Sequence, residues 1–429
     1  MSTTSKKDKF IANFMKNPVA DAIGQQQTVR EEAFQALREL EFPTLKDEAW
    51  KYTRVAGILN KEFEVKEVEN PALSENYLIP DLKVNRLVFI NGKFQSELSE
   101  IIDSDLDIKT TAQARFENHD AVGGYLGSLT NHKNEIFTAL NTAFNQTGAF
   151  VQIQKNKKPQ FPVHIIDVTE GEGVTYQPRN LFVLEEGAEL DVIHTIEGDN
   201  GQSFTNLVNE FVIKENAKAS YYQVQRNGEK NNHIQTTQVY QAQNSRFRTG
   251  TYTFGGKLIR NNVNIAVDGE NCETILNGAF LLNGKQHVDN HTFVDHLQPH
   301  CESHENYKGI IGGKATGVFN GKVLVRPDSQ KINAFQSNQN ILLTEQAEIN
   351  SKPELEIYAD DVKCSHGSTT GQMDEEALFY LMSRGLTKAG AMGLMIQAFA
   401  AESIEIVEIE PLKQWIESLV EERCKEIQD

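Results

Sequence analysis

The 429-residue sequence contains no apolar run of about 18 residues, the length a membrane helix needs, and its N-terminus has no apolar core of a secretory signal. A membrane span and export are therefore not expected, and the opening Lys6, Lys7, Asp8 and Lys9 read as a solvated lead-in. Cysteine is scarce: the four, at 272, 301, 364 and 424, form neither a CxxC pair nor a disulfide framework, which fits a reducing cytoplasm. Positive charge is in deficit. With 42 Lys and Arg against 60 Asp and Glu, the net charge is −18 and the pI is near 5.1, so no basic face is expected for nucleic acid. Nucleotide and hydrolase motifs are missing too. Gly255-Gly256-Lys257 and Gly312-Gly313-Lys314 lack the spacing that cradles phosphate, no GxSxG elbow occurs, and Asp360 and Asp361 would face opposite ways on a strand. The chain is not expected to be an enzyme on its own.

What is present is enough apolar sequence, 39%, for a substantial core. Residues 1–55 have helical spacing, with Val29, Ala33, Leu37 and Leu40 on one stripe before Pro43. Trp50 and Tyr52 in "DEAWKYT" read as packing rings. "NRLVFINGKF" at 85–94 places Asn91-Gly92 between two apolar runs, a hairpin signal. Residues 120–147 return to helical spacing through Ile136, Leu140 and Phe144. An N-terminal α+β region over 1–150 follows.

From 151 to 366 the sequence becomes rich in β-branched and aromatic residues, and it repeats. Small residues after polar turns fall at Ala188, Ala217, Ser245, Cys272, Cys301 and Ser329, at intervals of 29, 28, 27, 29 and 28. The preceding strands keep step through Phe211, Val239, Ile265 and Phe293. A sustained period of this size, built from strands and turns, marks a solenoid in which each coil stacks on the last. A β-sandwich would show turns every 8 to 12 residues without the longer period. The expected fold is mainly β: a parallel β-helix with alternate residues such as Leu190 and Val192, or Phe247 and Thr249, turned inward, flanked by the N-terminal region and a helical C-terminal subdomain at 367–429. The repeat also stacks Cys272 on Cys301.

The last strand-like stretch, Leu355 to Gly371, holds Cys364 and His366. Residues two apart on a strand share a face at about 7 Å, within reach of one metal or cluster; a buried Cys beside a hydrogen-bonded His is the plainer alternative. With Val362 at the turn, 33 residues after Ser329, these two take the inward register of Leu190 and Val192. Five further histidines, His287, His291, His296, His300 and His304, suggest zinc, but residues four apart on a strand are separated by roughly 13 Å, too far for one ion. Beyond them, Asp374 and Thr387 can cap two helices, and Pro411 falls in the first turn of a third. Phe379 and the Met-bearing face of Met392, Leu394, Met395 and Phe399 suit either internal packing or a partner.

The wording "LEIYADDVKCSHGSTTGQMDEEALFYLMSRGL", together with "PRNLFVLEEGAEL" at 178–190, "HTFVDHLQPHCESHENYKGI" at 291–310 and "DEAWKYT" at 47–53, resembles the SufB/SufD family of the SUF iron–sulfur cluster assembly machinery, and within it the SufD type. The resemblance covers most of the chain. It implies a right-handed parallel β-helix and a cytoplasmic, non-ATPase scaffold. Its implied partners are a SufB-like paralogue and a SufC-like ABC-type ATPase, the latter bound through the C-terminal helices. It further implies that His366, and after it Cys364, meets a transient iron–sulfur cluster at the paralogue interface, with no cofactor tightly bound to the chain alone. A SufB-type scaffold, a homodimer in a reduced system and a β-helix polysaccharide-processing enzyme are the alternatives.

Overall fold

The computed structural model describes residues 6–16, 25–103 and 106–428; residues 1–5 and 17–24, part of the stretch expected to be helical, lie outside them. The lead-in is not merely solvated. Lys6–Phe14 is a helix whose Phe10, Ile11 and Phe14 are buried, because apolar residues at this spacing share one face. It packs with Gln25–Glu39, through Ala33 and Leu37, and with Ile136–Phe144, whose residues are all buried. Asn91 and Gly92 have φ of 49° and 75°, the left-handed pair that a two-residue hairpin requires, and they join strands Asn85–Ile90 and Lys93–Phe94.

The described strands form two ten-stranded sheets, parallel except for the hairpin and one further antiparallel pair. The chain alternates between them, so that each coil contributes one strand to each sheet. In the first sheet Asn85–Ile90 is followed by Val163–Thr169, Glu189–Gly198, Lys218–Arg226, Arg246–Thr253, Glu273–Leu282, Glu302–Ile311, Asn333–Leu342 and Lys363–Gln372. The second runs through Ala149–Ile153, Arg179–Leu184, Ser203–Ile213, Asn231–Gln241, Leu258–Val267, His287–His296, Thr316–Val325 and Glu348–Ile357. This is the expected parallel solenoid. Alternation turns every second side chain inward, and Leu190, Val192, Phe247 and Thr249 are all buried there.

A ladder at one turn sets the period. Asn216, Asn244, Asn271, His300 and Lys331 all have φ between 55° and 61°; the first four each stand one residue before the small side chain of their coil, and Lys331 stands before Ile332. Asn tolerates this left-handed conformation, and here the side chains also link coils: Asn244 donates to Asn216 at 3.0 Å and Asn271 to Asn244 at 3.2 Å. The ladder corrects one repeat position. Ser329 is not in register; Ile332, following Lys331, stacks on Cys301, and Val362 follows it, since Asn333 pairs with Glu302 and Lys363 with Asn333. The Pro327–Gln330 turn adds the residues that shifted the count. Likewise Ile265 pairs with Val294, not Phe293, so Val294 is in the core and Phe293 faces outward.

The two outer faces are covered differently. N-terminal helices lie over Phe204, Ile234 and Leu258 of the second sheet. Helices Lys388–Ile404 and Glu410–Gln428 pack on the first, where Leu412, Trp415 and Ile416 meet Tyr222, Tyr252, Leu281 and Ile310. Tyr222 and Tyr252 donate to the Ile406 and Ser403 carbonyls at 3.0 and 2.9 Å.

Candidate functional site at the open end of the solenoid

Among the described residues the solenoid ends without a covering coil. Glu348–Ile357 and Lys363–Gln372 are the terminal strands of their sheets, each paired on one side only among the described residues. Lys363–Gln372 is exposed along nearly its whole length. Cys364 pairs with Ala334 and His366 with Gln336, so both occupy the inward columns that hold Leu190 and Val192 several coils earlier. With no further coil to cover them, inward-facing becomes accessible. Cys364 is half-buried against the core, and that burial pushes its thiol pKa up. His366 is exposed and makes no hydrogen bond among the described residues. The structure thus brings the two together on one face, leaves the imidazole exposed and favours the protonated form of the thiol.

Beneath His366 the same column continues through Gln336 and Glu305 to Leu276. Glu305 is buried, and removal from water raises its carboxyl to about 7. Sequence reading passed over it. Its sign would have been a lone acid at an inward register position, legible only once the register past Cys301 is fixed.

The five histidines do not converge. His287 meets the Thr53 hydroxyl at 2.8 Å, His291 meets Asp289 at 2.9 Å and His296 meets Ser303 at 3.0 Å inside the solenoid. His300 holds the left-handed turn, and His304 stacks on the Phe335 ring on the outside. Among the described residues no group of three or more His, Cys, Asp or Glu side chains is placed to hold a metal ion. "DEAWKYT" turns out to be a latch onto the second sheet. Trp50 covers the Arg260 guanidinium at 3.8 Å, Thr53 donates to Asp289 at 2.5 Å, and Glu48 pairs with Lys352 at 2.6 Å. Trp50 is buried as expected; Tyr52 is 39% exposed and packs little.

A second exposed feature lies on the C-terminal helices. Asp374 caps Glu375–Ser383 by accepting from the Glu376 and Ala377 amides at 2.9 and 3.1 Å, and Thr387 caps the next helix by accepting from the Gly390 amide at 3.1 Å. Glu375–Ser383 buries no residue. Phe379 is 74% exposed and Leu394 48%. Met392 and Met395 are half-buried, while Phe399 packs inward beneath Lys308. Of the five apolar residues singled out, Phe379 and Leu394 therefore stand free and Phe399 belongs in part to the fold.

The site thus combines a parallel solenoid whose last described strand is open on one side with a helical arm whose Phe379 and Leu394 are exposed. The family described as "SUF system FeS cluster assembly, SufBD core domain" matches residues 166–399, and its "SufBD protein N-terminal region" matches 12–165. The chain is 35% identical over 399 residues to an iron–sulfur cluster assembly SufBD family protein of Synechocystis, covering 90% of this chain and 88% of that protein. It is 29% identical over 394 residues to the iron–sulfur cluster assembly protein SufD of Escherichia coli, covering 91% of each, and 27% identical over 330 residues to SufD of Bacillus subtilis, covering 74% and 73%. The chain belongs to the SufBD family of the SUF iron–sulfur cluster assembly system.

Proposed function

We propose that the chain is a cytoplasmic, SufD-type scaffold without catalytic activity of its own. It pairs through its open end with a SufB-like paralogue and binds a SufC-like ABC-type ATPase through the arm bearing Phe379 and Leu394. Its cargo is a nascent iron–sulfur cluster met at His366, with Cys364 as second donor. The observation that carries this reading is the uncapped Lys363–Gln372 strand, which offers unpaired backbone groups and an inward-facing imidazole on the same edge. Such an edge in a natural protein invites a pairing strand. Thiolate and imidazole are both suitable ligands of a cluster, and two donors leave the remaining positions to a partner.

The test is purification of the tagged chain from its native cytoplasm with identification of what accompanies it, followed by cluster reconstitution in that complex. A longer paralogue and an ATPase should co-purify. His366→Ala should leave melting unchanged and sharply lower the iron–sulfur content, while Phe379→Asp with Leu394→Asp should release the ATPase alone. Full cluster content in His366→Ala would return the imidazole to a surface role.

A further inference from the structure

One region of the solenoid interior is polar without being paired. Glu305, Thr292 and Gln336 are 5%, 3% and 5% exposed, and neither carboxylate oxygen of Glu305, nor the Thr292 hydroxyl, nor either amide atom of Gln336 has a hydrogen-bond partner. Buried polar groups are almost always satisfied, so five such atoms in one place require a further occupant. They converge. Glu305 and Gln336 are adjacent in one inward column, and Thr292 lies on the facing strand of the second sheet, where it and Gln336 are the polar neighbours of the Glu305 carboxyl. Gly321, next to Thr292 in its column, lets the carboxylate approach: a Cβ there would lie 3.0 Å from Glu305 Oε2 and 2.8 Å from the Phe319 ring. Leu276 closes the column below, and the open end with His366 lies two coils above, about 10 Å away.

We propose that this cluster is a binding site for one first-row divalent cation, held by the Glu305 carboxylate, the Gln336 amide oxygen and the Thr292 hydroxyl, and entered from the open end past His366. The donors are oxygen only, a set that suits manganese or ferrous ions better than thiophilic metals. A single buried carboxylate also supplies the negative charge that makes an interior cation tolerable. The Gln336 nitrogen then turns away from the ion, and water completes the coordination. The site stands apart from cluster assembly, since it needs neither His366 as a ligand nor a second subunit.

The probe is Mn²⁺, titrated into the metal-free, full-length chain and followed by electron paramagnetic resonance of the free ion. One equivalent should bind to the wild type. Glu305→Gln should weaken binding at least tenfold and Thr292→Val severalfold, with melting of the apo proteins equal to or above wild type, because the first removes a buried ionisable group and the second an unpaired buried hydroxyl. His366→Ala should leave the site intact, which separates this inference from the cluster reading. Loss of binding to the same degree in the surface control Glu422→Gln would assign the ion to general negative charge and overturn the proposal. So would a wild type that binds no equivalent, or a Glu305→Gln chain that binds as the wild type does.

Discussion

The early and late coils of the solenoid share one backbone plan and treat their inward residues in opposite ways. Around Val163–Thr169 and Arg179–Leu184 every side chain is buried, and most polar atoms are paired, Asp167 Oδ1 being an exception. Asp167 meets His194 at 2.7 Å, and the other imidazole nitrogen meets Tyr221 at 2.8 Å. On the outer face of Arg179–Leu184, the Arg179 guanidinium meets Glu210 at 2.8 Å and donates to Asn141, Thr142 and Thr130, while Glu210 also accepts from the Gly127 amide. At the other end, Glu305 and Gln336 are unpaired and His366 is bare. What separates the ends is cover. The N-terminal helices and the residues that join them pair outer polar groups of the first coils such as Arg179, whereas among the described residues no strand follows the last coil. Stability is concentrated where the chain completes itself, and reactive groups stand where it does not.

The sharpest way to break this contrast is at Arg179. Arg179→Ala leaves Glu210 buried without its cation, and loss of one partner from such a pair destabilises by about 3–5 kcal/mol. Chemical denaturation should register that loss, and a change below about 1 kcal/mol would show that the closed end is not the stable one.

Acid sharpens it next. Burial holds the His233 imidazole down at about 4, well below its ordinary value, with Nε2 facing Gln235 at 3.1 Å and Nδ1 unpaired. Between about 6.5 and 4 the unfolded chain takes a proton there and the folded chain does not. The folded state therefore has its full advantage above about pH 6.5 and loses it as the pH falls toward 4, by about 3 kcal/mol. Glu197, raised by burial to about 8, acts in the opposite sense, so the measurement is a difference. Denaturation of wild type against His233→Gln should diverge by that amount between pH 7 and pH 4. Parallel curves would mean that the imidazole titrates normally.

Much of this was legible in the sequence. The 27 to 29 residue spacing gave away the solenoid because each coil must return to the same place, and it put Cys272 over Cys301, where both thiols now donate to the Gly269 carbonyl at 3.2 Å. It failed at Ser329 because a count of small residues is blind to an inserted turn; the left-handed residue at each turn, Asn or His and finally Lys331 before Ile332, is the firmer marker. Cys364 and His366 were found through wording and alternation. Their exposure was not, since alternation says inward and only the absence of a following coil turns inward into open.

The smallest expected effect tests that last point by exchanging residues within one column. Val192 and His366 hold the same inward position, one between two coils and one under none. Val192→His forces a larger, polar ring into a fully packed layer whose neighbours are Val163 and Tyr221, and overpacking of this kind destabilises by about 1–3 kcal/mol. His366→Val removes no hydrogen bond and fills no cavity, so it should lie within about 0.5 kcal/mol of wild type. Both variants are measured by urea denaturation of the chain alone. Equal effects would mean that the last coil is packed like the others, whereas a silent His366→Val beside a damaging Val192→His shows that the imidazole contributes nothing to folding and is free for a partner.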